Sequence, residues 1–144
     1  MWAIRSGVLG AAVAAIVSAV PALPVPAHAT AGRDVTATET WKRTADGFDY
    51  TFREITLAPG GSTGWHTHPG RVYGIVKEGT LTHSLADCTI DGIYPTGAGV
   101  FEPPGMTHIG RNLGVAPVVL QILYILPAGS PLSVDQPDPG CGFT

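Results

Sequence analysis

Glycine and proline together make up 32 of the 144 residues, 19 of one and 13 of the other. Glycine weakens a helix interior and proline breaks it. A chain so rich in both cannot build a helical bundle or a coiled coil, and it suits short strands joined by many turns. The reading is therefore an all-β domain. Only 13% of the residues are charged, about half the usual quarter. The hydrophobic share of 44% excludes a disordered chain. The net charge is −3, so no basic patch exists to hold phosphates and nucleic acid is excluded as a partner. No run of like charges suggests a membrane surface or a charged tail.

The amino end reads as an export segment. Arg5 gives a positive start, Gly7 to Val20 is a small-apolar run of 14 residues, and Pro21, Pro24 and Pro26 follow. Ala27-His28-Ala29 places small residues where a signal peptidase reads them, so residues 1–29 are expected to be a signal peptide cleaved after Ala29. The run is shorter than the ~20 residues that span a bilayer, so no stable membrane anchor is expected after cleavage. The remaining 115 residues can bury one modest core. Export to a secreted or extracytoplasmic location permits disulfides. Cys88 and Cys141 have only one pairing, and the loop they would close is worth about 4 kcal/mol by chain entropy.

Within the mature chain, residues 30–40 are polar and read as a loose segment. The body spans 41–126. Strands are expected at Trp41–Lys42 and Phe48–Leu57, around a turn at Ala45-Asp46-Gly47, with another turn at Ala58-Pro59-Gly60-Gly61. A long extended segment is expected from Trp65 to Val76, then strands at Thr80–Leu85 and Val100–Phe101–Glu102. Asp87 to Ile93 reads as a short hairpin or loop, and Val115 to Leu126 as a buried strand. Residues 127–144, with four prolines and three glycines, read as an irregular tail tethered by the cysteines.

The histidines carry the chemistry. His66 and His68 are two apart, so on a strand both side chains leave the same face. His108 follows a Pro-Pro-Gly turn, and a barrel could bring it opposite that pair. Three neutral imidazoles converging in a barrel would make a mononuclear metal site with open positions.

The spacing around these residues resembles the cupin superfamily. Its first motif is matched by Gly60, five residues, His66-Thr67-His68, three residues, Val72, six residues and Gly79. Its second motif is matched by Gly97, five residues, Pro103-Pro104-Gly105, two residues, His108, three residues and Asn112. The resemblance implies an antiparallel jelly-roll β-barrel of about six to eight strands. It also implies one divalent transition metal ion (iron, zinc, manganese, nickel or copper) on His66, His68 and His108. The family's glutamate is replaced by Val72, which is expected to point inward as an apolar wall of the cavity. Three histidines alone would leave the site at +2 with one more open position.

Two further residues are catalytic candidates. Glu102, six residues before His108, is either a general base or partner of the ligands, if its strand turns it inward, or a solvated edge residue. His83, between Leu81 and Leu85, is either a barrel-lining acid or base, or a core histidine with one hydrogen bond. The functions implied are metal-assisted oxygenation, decarboxylation or isomerisation of a small oxygenated molecule. The alternative is a binding module that captures a metabolite or a metal ion. Dimers are common in that superfamily, so a homodimer is among the assemblies the resemblance allows.

Overall fold

The computed structural model describes residues 29–144, so the expected signal peptide lies, but for Ala29, outside the described residues. Among these there is no helix. Ten strands follow one another: β1 Arg33–Ala45, β2 Phe48–Ser62, β3 His66–Thr67, β4 Arg71–Glu78, β5 Thr80–Leu85, β6 Ile90–Pro95, β7 Gly99–Glu102, β8 His108–Arg111, β9 Val118–Pro127 and β10 Val134–Asp135. All pairings between them are antiparallel. One wall runs β1-β2-β9-β4-β7, the other β6-β5-β8-β3-β10, and β2 joins them where Ser62 pairs with Arg111. The result is a nearly closed jelly-roll barrel, as the cupin resemblance implied, with ten strands rather than about six to eight because short segments such as β3 and β10 also pair.

Strand β9 organises the core. Its inward residues Val118, Leu120, Ile122, Tyr124 and Leu126 are buried in strict alternation with half-exposed neighbours. Period-two alternation is what a strand with one buried face requires. Ile55 and Leu57 of β2, Val72 and Val76 of β4, Leu81 of β5 and Val100 of β7 close the apolar cluster around it. The histidines occupy the other part of the barrel.

Four expectations are corrected. The segment 30–40 is not loose: β1 begins at Arg33 and pairs with β2 as far as Ala45. Most of β1 is exposed, so its place is held by the backbone ladder rather than by an apolar face, which composition does not reveal. The Ala58-Pro59-Gly60-Gly61 turn is absent, because β2 runs on to Ser62 and a register shift between Arg33 and Val35 absorbs the irregularity. The extended run from Trp65 is broken between β3 and β4, where Gly70 lies so close to β9 that a Cβ would meet the Ile125 carbonyl oxygen at 2.3 Å. Part of the tail is ordered as β10, pairing Val134 with Thr67 and Asp135 with His66. A bridge between Cys88 and Cys141, Cα atoms 5.3 Å apart, ties the tail to the loop after β5.

Asn112 locks the end of β8. It is 1% exposed, its Nδ2 donates to the carbonyls of Leu57 (3.0 Å) and Ala116 (2.8 Å), and its Oδ1 accepts from Gly114 N (3.0 Å). Asn112→Ala would leave these groups unpaired, and we expect a stability loss of about 2–3 kcal/mol. Urea unfolding measures it, and a loss under about 0.5 kcal/mol would contradict this role.

Candidate metal centre

Strand pairing brings the first two ligand candidates together. His66 on β3 and His108 on β8 are cross-strand partners, and their rings lie 4.3 Å apart. His68 follows β3 directly, with its ring 4.8 Å from His66 and 5.2 Å from His108. All three are buried, and their nitrogens lie within 4.8 Å of one another. The convergence expected of His66, His68 and His108 is therefore present.

Each ring is held from behind by a carbonyl oxygen. His66 Nδ1–H donates to Gly64 O (2.8 Å), His68 Nδ1–H to Leu132 O (2.6 Å) and His108 Nδ1–H to Met106 O (2.8 Å). A carbonyl only accepts, so each Nδ1 carries a proton and each Nε2 is turned to the centre. Nε2 of His66 and Nε2 of His68 face each other at 3.1 Å, and the buried Nε2 of His108 has no hydrogen-bond partner. Ring nitrogens crowded in this way are best satisfied by a cation or a proton between them. Burial first, and the neighbouring His108 second, lower the pKa of His66 to about 4. His66 is thus neutral at pH 7 and ready to ligate.

Glu102 turns inward and is not a solvated edge residue. Its carboxylate lies 3.1 Å from His68 Nε2, 3.4 Å from His108 Nε2 and 3.6 Å from His83 Nε2. Burial would raise its pKa, but the facing imidazoles of His108, His68 and His83 outweigh burial and hold it well below the usual carboxylate range. Glu102 on β7 is also the cross-strand partner of Val72 on β4, so the two side chains leave the sheet side by side. A carboxylate absent at position 72 therefore stands one strand over, against the imidazoles.

Val72 is 1% exposed and belongs to the apolar cluster. It is not among the residues around the cavity of about 30 Å³ beside the histidines, whose apolar walls are Ile55, Leu81, Leu120 and Ile122. That space has room for an ion or a water.

His83 on β5 is also buried at this centre. Its ring stacks on His108 at 4.8 Å, and its Nδ1–H donates to Asp91 Oδ1 (2.6 Å). Burial would lower its pKa, but the carboxylates of Glu102 and Asp91 outweigh burial and leave it raised. His66 and His83 are thus pushed in opposite directions within one site, the pattern of two groups with different proton roles. Sequence reasoning missed Asp91, and it gave no role to two polar residues beside this centre, Arg53 and Tyr124. The only signal for Tyr124 was its inward parity in β9, a polar tip in an otherwise apolar row. Arg53 shares the inward parity of Ile55.

The profile of the cupin domain family matches residues 53–126. The polyketide cyclase RemF from Streptomyces resistomycificus is similar in structure, with 22% identity and a TM-score of 0.59 over 75% of this chain and 77% of that one. An oxalate oxidase in complex with the substrate analogue glycolate has 21% identity and a TM-score of 0.55 over 70% of this chain and 54% of that one, so the chain matches about half of its length. A cupin-2 domain protein from Rhodospirillum rubrum has 14% identity and a TM-score of 0.57, covering 72% and 66%. No curated protein matches the chain significantly.

Proposed function

Because the chain belongs to the cupin domain family, we propose that it is an exported metal-binding barrel acting on a small oxygenated molecule, with one divalent transition ion held by His66, His68, His108 and Glu102. One observation carries this reading: three buried imidazoles, each with a proton held outward on Nδ1, turn their Nε2 atoms to one point, two of them 3.1 Å apart. Glu102 supplies the charged oxygen that a divalent ion favours beside nitrogen ligands. When bound, such an ion would polarise a substrate oxygen or lower the pKa of a bound water. His83 is the group placed to hold a proton at Nε2, because Asp91 fixes its Nδ1–H and the carboxylate of Glu102 faces the other nitrogen.

Two proteins of the same fold are enzymes by name, a polyketide cyclase and an oxalate oxidase. The barrel can therefore host small-molecule chemistry, and the choice of reaction rests on the site. Export is supported by the apolar run Gly7–Val20 and by the Cys88–Cys141 bridge.

Metal analysis of protein purified without an affinity tag should give one transition ion per chain. Glu102→Gln, which keeps the shape and removes the charge, should weaken metal binding at least about 10- to 100-fold. Placing Glu at Val72 in a Glu102→Val background should recover part of that loss, since the two positions are cross-strand partners. Unchanged affinity in Glu102→Gln would remove Glu102 from the ligand set.

A further inference from the structure

The histidine centre opens outward into a second cavity of about 290 Å³ that shares Ile55, Thr63, His66, His68 and Tyr124 with the inner one. Arg53 stands on its wall. It belongs to the inward row of β2, between Thr51 and Ile55, both buried. Its buried Nε has no acceptor, and Arg53 forms no ion pair among the described residues. Two acids are near: Glu39 is its cross-strand partner on β1, and Asp135 lies on the cavity wall. Neither reaches it. A buried N–H on a guanidinium without an acceptor is costly, and Arg53 lines the cavity that borders His66 and His68.

The surroundings narrow the ligand. Tyr124 lies on both cavities, with its ring 5.5 Å from that of His68. Val35, Ala37 and Ile55 provide an apolar flank. One guanidinium with Asp135 nearby suits a single negative charge and not a phosphate dianion. The volume is at the small end for ligand sites, which run from about 300 Å³ upward.

We propose that this outer cavity binds a compact monocarboxylic acid, its carboxylate on the Arg53 guanidinium and a second oxygen directed at the histidine centre. Arginine's planar fork matches a carboxylate with two parallel hydrogen bonds. The second contact rests on the metal reading above; the contact with Arg53 does not.

Calorimetric titration of the intact protein with lactate and pyruvate, and with the neutral lactamide, tests this. Both acids should bind at least tenfold more tightly than the amide. Arg53→Gln should lose that preference and Arg53→Lys should keep part of it, both with unchanged metal content and melting temperature. Equal binding of lactate and lactamide, or wild-type affinity in Arg53→Gln, would overturn the proposal. The two readings fail separately. Arg53-dependent acid binding in protein that takes up no metal would sink the metal reading alone. Bound metal with no preference for the acids would sink the Arg53 site alone.

Discussion

Replacing His108 by alanine is expected to abolish metal binding and to leave the barrel folded. His108 is the cross-strand partner of His66 and faces Glu102 at 3.4 Å, so it borders two of the other proposed ligands at once. Loss of an outer partner of a ligand already costs ten- to a hundredfold in affinity, and loss of the ligand itself should exceed about 100-fold. The fold should tolerate it. The apolar cluster around β9 includes no histidine, and the substitution removes a buried Nε2 that has no hydrogen-bond partner. The Met106 carbonyl loses its donor, so a cost of about 1–2 kcal/mol is expected. Metal analysis and thermal unfolding, with and without a chelator, measure both effects. If the stripped wild-type protein unfolds, the ion is structural. If His108→Ala keeps its full complement of metal, the ion sits elsewhere.

The second large effect is expected from Cys141→Ser. The bridge to Cys88 closes a long loop, and its removal should cost about 3–4 kcal/mol. That corresponds to a fall in melting temperature of roughly 10–20 °C. The tail it secures is also built into the centre. Gln136 N donates to Trp65 O (2.8 Å), and Phe143 stacks on Trp65 with its ring under the Arg111 guanidinium at 3.5 Å. Leu132 O accepts from His68 Nδ1 (2.6 Å). A loosened tail would stop fixing the His68 proton, so metal affinity should also fall about tenfold. Melting curves with and without reductant, paired with metal titrations, check both consequences. An unchanged metal affinity would mean that Leu132 stays in place without the bridge.

The candidate ligand histidines were legible because the two cupin-like motifs that carry them are local: the spacing puts His66 and His68 on one face, and the resemblance, with its Pro-Pro-Gly turn, brought in His108. β9 was legible because a buried strand writes its alternation into the sequence. What failed depended on pairing between distant segments. β1 is held by hydrogen bonds to β2 that leave no apolar signature. The direction of Glu102 depended on the register that sets it beside Val72, 30 residues earlier in the chain. Asp91 became visible only once the β5–β6 pairing brought it to His83.

The position of β9 has a kinetic consequence. It pairs over its whole length with β2, from Phe48 with Pro127 to Leu57 with Val118, and over most of its length with β4 on its other side. The β2 contacts span 61 to 79 residues of chain. The β1–β2 and β5–β6 hairpins can zip up as soon as they are made, but the main wall has a gap one strand wide until Val118–Pro127 arrives. Such high contact order places folding in the millisecond-to-second range. A nascent chain lacking that last long strand would therefore carry two unsatisfied ladder edges, and the barrel would close only after nearly all of the chain had been made.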